Sequence, residues 1–182
     1  VATRALARPD ASRLTIVGTG EQAEHHLEAM LSVRPVRALH VVGRRAEKTA
    51  EFARHAAARY PALTITHGID VQEGVRGADI LCTVTSSATP VVMGDWLEEG
   101  QHLNVVGASI PVKREIDDKA VLRAQVYTDY RPSFFAQAGE IVEMIKAGTL
   151  DEAHLKAEIG EVLAGQAPGR QQREAITLYR SL

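Results

Sequence analysis

Residues 13–23 read RLTIVGTGEQA, and the fold follows from how they are parsed. Arg13 to Val17 is a short, β-branched run that suits a buried strand. Gly18-Thr19-Gly20-Glu21-Gln22-Ala23 then has the spacing G-x-G-x-x-A. Gly18 suits a tight turn. Gly20 has no Cβ, so a pyrophosphate can approach its backbone. Ala23 is small enough for a following helix to pack close on the strand. That helix is predicted over 22–32, where Ala23, Leu27, Met30 and Leu31 fall at helical spacing. Its free N–H groups and dipole would face the phosphates. Gly18, Thr19, Gly20, Gln22 and Ala23 are therefore candidate cofactor contacts, and Glu21 is expected to point to solvent.

Outward from this turn, strand-like runs at 38–42, 63–66, 80–85, 102–106 and 125–128, with a further candidate at 175–179, alternate with helix-like runs at 46–59 and 71–76. Strands that alternate with helices imply right-handed crossovers. The prediction is an α/β fold, a doubly wound, mainly parallel sheet of the NAD(P)-binding Rossmann type, forming one domain over 1–182. Such a sheet binds its ligand at the carboxyl ends of the strands. The chemistry should sit just after residues 17, 42, 85 and 106.

After the second strand an NAD-preferring domain usually presents an acid to the ribose hydroxyls. This chain presents Gly43, Arg44 and Arg45, with no acid before Glu47. Two guanidiniums suit a 2′-phosphate, so NADP(H) is favoured, with NAD(H) as the alternative. Thr83, Thr85, Ser86 and Ser87 follow the fourth strand and could bond ribose or phosphate; the competing reading is a hydroxyl-capped loop without a ligand. Asn104 to Pro111 reads NVVGASIP. Gly107-Ala108 allows close backbone approach there, and Ser109 is the small polar group that could face substrate or nicotinamide.

Composition narrows the partners. Aromatics are 4% of 182 residues, which argues against a base-stacking nucleic-acid platform. A formal net charge of −2 gives no field to draw in a polyanion. The single cysteine, Cys82, excludes an intramolecular disulfide framework and a thiolate-rich zinc site, so a reducing, cytoplasmic setting is expected. No run approaches the roughly 20 apolar residues of a membrane span. The seven histidines make no metal signature, and the adjacent His25 and His26 point to different helix faces. Cys82 reads as a small buried hydrophobe, Asp117-Asp118 as a helix start, and Trp96 as a packing anchor.

These segments together resemble the ornithine cyclodeaminase/mu-crystallin family. The matching strings are GTGEQAEHHL (18–27), VVGRR (41–45), GADILCTVTSSATPVV (77–92), GDWLEEGQHLNVVGASIP (94–111), REID (114–117) and EIGEVLAGQAPGRQQREAITLYRSL (158–182). The resemblance implies a Rossmann portion of a longer subunit, whose N-terminal domain forms a homodimer and supplies an Arg and a Lys for the substrate carboxylate. It further implies a final helix beyond Leu182. A chain of this extent is expected to bind cofactor without turning over substrate alone. The resemblance carries over Gly18, Gly20, Gln22, Ala23, Arg44, Arg45, Thr83, Thr85 and Val106 as cofactor contacts, and Ser109 as substrate-side. Ornithine-cyclising members place a catalytic Asp where this chain has Ser109. GASIP-x-x-RE instead resembles the mu-crystallin and ketimine-reductase branch, which uses NADPH. The expected activity is therefore reduction at a C=N carbon of an amino acid-derived or cyclic imine. The alternatives are ornithine cyclodeamination with NAD recycled, and cofactor binding without catalysis.

Overall fold

A computed structural model describes residues 1–108 and 110–182; Ser109, the substrate-side candidate, lies outside the described residues. The sheet begins with β1 (Arg13–Val17), β2 (Ala38–Val42), β3 (Thr64–Gly68) and β4 (Ile80–Thr83). It continues with β5 (His102–Val105), β6 (Ala124–Thr128), β7 (Leu155–Glu158) and β8 (Ile176–Arg180). The spatial order is β3-β2-β1-β4-β5-β8-β6-β7, and every pairing is parallel. The chain runs outward from β1 to β3, then returns so that β4 pairs with β1 on its other side. That reversal is the switch point where such sheets open a crevice. The register places Val17 beside both Val42 and Thr83, so the turns after these strands share one edge.

Strand side chains alternate between two faces, each covered by helices. Leu14, Ile16, Leu39, Val41, Ile80 and Cys82 pack with Ala23, Leu27 and Met30 of α2 (Glu21–Val33) and Ala56 of α3 (Ala46–Arg59). On the other face, Val17, Val42, Leu81, Leu103, Val105 and Leu178 pack with Val75 of α4 (Val71–Val75), Val121 of α5 (Asp118–Arg123), and Ile141 and Met144 of α7 (Gly139–Lys146). The low aromatic content fits this design, because aliphatic side chains let helices approach a parallel sheet closely. Trp96 packs at the edge of the second core, as its anchoring role requires. Asp117 caps α5 by accepting from the Ala120 N–H.

The C-terminal region departs most from the sequence reading. β7 was not predicted, and neither was the placement of β8 between β5 and β6. β7 is the short edge strand Leu-Lys-Ala-Glu, in which only Leu155 and Ala157 are buried. A four-residue edge strand with one lysine and one glutamate carries little strand signal. α1 (Ala2–Leu6), α6 (Arg131–Gln137), α7 and α8 (Ile159–Leu163) were likewise not anticipated. Here position depends on packing across the sheet rather than on local pattern.

One buried group gives a pH prediction. His102 on β5 is fully buried, and the Thr177 hydroxyl lies 2.9 Å from its Nδ1. That hydroxyl spends its proton on the Leu6 carbonyl, so it accepts from an Nδ1–H tautomer. Burial, aided by the nearby Arg170 guanidinium, pushes the imidazole down to about 3 from its usual 6.5. Above pH 6.5 the ring is neutral whether the chain is folded or unfolded. Below it, only the unfolded chain takes up the proton, so stability falls by about 1.4 kcal/mol per pH unit until the folded value is reached. Urea midpoints at pH 6.5 and 4.5 should therefore fall more steeply for the wild type than for His102→Gln. Parallel profiles would show that the ring is protonated in the folded state.

Candidate functional site

The turn after β1 has the geometry its glycines allow. Gly18 has φ +123°, a conformation that strongly favours glycine. A Cβ there would stand 2.8 Å from the Val84 carbonyl oxygen. The Gly18 turn and the loop after β4 therefore touch across the switch point. At Gly20 the reverse holds, since a Cβ would meet nothing within 4 Å. Gly20 is the N-cap of α2 and supplies no side-chain cap. The first N–H groups of a helix lack intrahelical acceptors. The Ala23 N–H bonds back to the Gly20 carbonyl at 2.9 Å, and the space a Cβ would fill at Gly20 is open, which suits the close approach of a phosphate to the start of a helix. Ala23 is fully buried against Ile16 and Cys82, and Gln22 and Glu21 are exposed.

The turn after β2 is drawn in against the first. Gly43 is buried, and a Cβ on it would stand 2.4 Å from Thr49 Oγ1 and 2.9 Å from Thr19 Cγ2. Glycine at 43 thus lets the Thr19 turn and the start of α3 close on each other. Arg44 and Arg45 follow, both exposed, with Arg45 the N-cap of α3. They present two exposed guanidiniums at the carboxyl end of β2, where the adenosine ribose of a dinucleotide lies in this fold class.

The ends of β4 and β5 are organised by a residue that the sequence reading did not single out. Glu115 is fully buried, and its carboxylate accepts four hydrogen bonds. Oε1 takes the Thr85 N–H at 2.6 Å and the Thr85 hydroxyl at 2.7 Å. Oε2 takes the Thr83 hydroxyl at 2.9 Å and the Gly107 N–H at 2.7 Å. The backbone carbonyl of Glu115 is anchored by the Val91 and Val92 N–H groups at 2.8 and 3.0 Å. Thr83 is buried, and its hydroxyl is turned inward to Glu115. The Thr85 hydroxyl is also committed to Glu115, although Thr85 is half-exposed. Val106 is half-buried, and its N–H continues the pairing to the Thr83 carbonyl at 3.0 Å. A Cβ on Gly107 would stand 1.9 Å from the Thr85 carbonyl oxygen, so these two loops are in backbone contact.

Beneath the loop after β5 lies a second polar group missed from sequence, the Arg180–Glu140 pair. Both residues are fully buried, with Arg180 Nε 2.7 Å from Glu140 Oε1. Arg180 also donates to the carbonyls of Val105, Ala108 and Ser181. Burial raises the Glu140 carboxyl above the usual range, and the Arg180 guanidinium pulls against that rise. Glu140 lies outside the family-like strings and Arg180 inside the last of them, and only long-range packing brings the two together. Cys82 is buried on β4, with its thiol pushed up to about 12 by desolvation, so it is not a nucleophile. Among the described residues, no group of three His, Cys, Asp or Glu side chains could hold a metal ion. Among the same residues, no helix is long and apolar enough to cross a membrane.

Comparison with known proteins agrees with this geometry. The model of the ornithine cyclodeaminase/mu-crystallin family matches residues 1–182. A Δ1-pyrroline-2-carboxylate reductase of Bacillus cereus is 33% identical over 183 residues, covering 100% of this chain and 56% of the relative. The ketimine reductase mu-crystallin of Macropus fuliginosus is 34% identical over 185 residues, covering 100% of this chain and 54% of the relative. The chain therefore spans little more than half the length of these curated relatives. The structure of Thermococcus litoralis Δ1-pyrroline-2-carboxylate reductase in complex with NADH and L-proline superposes with a TM-score of 0.95 at 32% identity. It is matched over 100% of this chain and 56% of that one.

Proposed function

Because the chain belongs to the ornithine cyclodeaminase/mu-crystallin family, we propose that it is the nicotinamide-dinucleotide-binding part of a reductase acting on imines derived from amino acids. The observation that carries this reading is the open space beside Gly20 at the uncapped start of α2, on the switch-point edge of the sheet. The relatives that reduce Δ1-pyrroline-2-carboxylate and ketimines supply the substrate class. Gly18, Thr19, Gly20 and Gln22 would hold the pyrophosphate through the backbone, with Ala23 seating α2 close behind it. The ends of β4 and β5, through Thr85 and Val106, would meet the nicotinamide half. When bound, the cofactor supplies hydride. The chain's own task is to orient that cofactor and keep water from it. Ser109 belongs to the proposal as a substrate-side residue. In this proposal the contacts to the substrate carboxylate and a homodimer interface lie outside residues 1–182.

We further read the cofactor as NADP(H). Arg44 and Arg45 support this, because guanidiniums bind a phosphate dianion by charge and paired hydrogen bonds. Arg44→Ala with Arg45→Ala should weaken NADPH binding by roughly a hundredfold and NADH binding by only about threefold, as followed by nicotinamide fluorescence. Equal losses would reject the NADP(H) assignment. The reaction is tested on the intact gene product by following NADPH oxidation with Δ1-pyrroline-2-carboxylate and with acyclic ketimines. Release of ammonia from ornithine without net NADPH consumption would identify a cyclodeaminase instead. NADPH binding with no turnover of either substrate class would point to a non-catalytic protein.

A further inference from the structure

We propose that Glu115 is the positioning residue for the nicotinamide half of the site, a role that rests on the dinucleotide reading above. The argument begins with its hydrogen bonds. Each carboxylate oxygen accepts one hydroxyl and one backbone N–H, and the two N–H groups belong to different loops. The Thr85 N–H lies after β4 and the Gly107 N–H after β5. Hydroxyls can rotate to accept a hydrogen bond, but a backbone N–H can only donate. An amide in place of the carboxylate must therefore set its NH2 against one of these N–H groups, whichever way it is flipped. Only a group that accepts on both sides can join the two loops.

The joint lies where it controls cofactor geometry. In a doubly wound sheet the first half, β1 to β3, takes the adenosine end, so the other mononucleotide falls to β4 and β5. Gly107 is pressed against the Thr85 backbone, so the distance between these loops has little freedom. Glu115 fixes their remaining degree of freedom, the direction in which the two backbones face. With both oxygens filled, Glu115 is not a proton carrier for the reaction. It acts through the loops it joins.

The test compares whole cofactor with its adenosine fragment. In the full chain, Glu115→Gln should weaken binding of NADP+ or NAD+, whichever the wild type binds more tightly, by roughly tenfold to a hundredfold. Binding of the matching adenosine-side mononucleotide, 2′,5′-ADP or 5′-AMP, should stay within about twofold, because that fragment touches only the first half of the sheet. Thr83→Val removes one hydroxyl donor while keeping side-chain volume, and it should show the same selectivity at about threefold to tenfold. Should Glu115→Gln fail to fold by circular dichroism, the Thr83→Val result decides. Equal weakening of cofactor and fragment in a folded variant, or weakening of neither, overturns the proposal. A wild-type chain that binds neither molecule overturns the dinucleotide reading itself, and this inference with it.

Discussion

Gly107→Ala is expected to destabilise the protein by about 3 kcal/mol and to abolish dinucleotide binding. The new Cβ would stand 1.9 Å from the Thr85 carbonyl oxygen and 2.5 Å from the Thr85 nitrogen. Both are backbone atoms, so no side-chain rotation can relieve the contact. One of the two loops must move, and either movement pulls an N–H away from Glu115. For a chain of this length the loss corresponds to a fall in melting temperature of roughly 6–12 °C. Gly160 in α8 provides the control, because a Cβ there would meet nothing within 4 Å. Gly160→Ala should be neutral, or more stable by up to about 1 kcal/mol, through helix propensity alone. Thermal melts of the two variants against wild type check both statements. If Gly107→Ala melts with the wild type, the β4 and β5 loops are not held as tightly as the geometry requires.

Arg180→Met should cost about 3–5 kcal/mol, because it leaves the Glu140 carboxylate buried without its partner. Replacing both members, Arg180→Met with Glu140→Leu, removes the uncompensated charge. For an isolated buried pair that double change is often neutral. Here it should recover only about half of the loss. Arg180 also donates to the Val105 and Ala108 carbonyls, and no aliphatic side chain replaces those bonds. Val105 keeps the Ser181 N–H at 3.1 Å, so the Ala108 carbonyl bears most of the remaining cost. Denaturant midpoints for wild type, both single variants and the double variant close the cycle. Full recovery in the double variant would mean that Arg180 merely neutralises Glu140 and does not hold the loop.

Much of the first half of the molecule was legible without coordinates. The run RLTIVGTGEQA marks strand, turn and helix locally, because glycine spacing and β-branched runs act over a few residues. β1, β2 and α3 appear at the predicted residues, and α2 is one residue longer at each end. The predicted strand over 80–85 ends at Thr83, since the backbone leaves the sheet to meet Glu115. Thr83 and Thr85 were marked by their hydroxyls, and those hydroxyls are held by a carboxylate thirty or more residues along the chain. No local rule relates a threonine to an acid so far away.

The sequence by itself determined the fold class, the glycine turn and the pair of arginines after β2, because each depends on residue type at short spacing. Tertiary structure alone decided that β8 lies between β5 and β6, so that Arg180 comes beneath the loop after β5. It also decided that Glu115 accepts from the Thr83 and Thr85 hydroxyls. Strand order and buried polar pairing are set by which surfaces exclude water together. That depends on every element at once, and on no single stretch of chain.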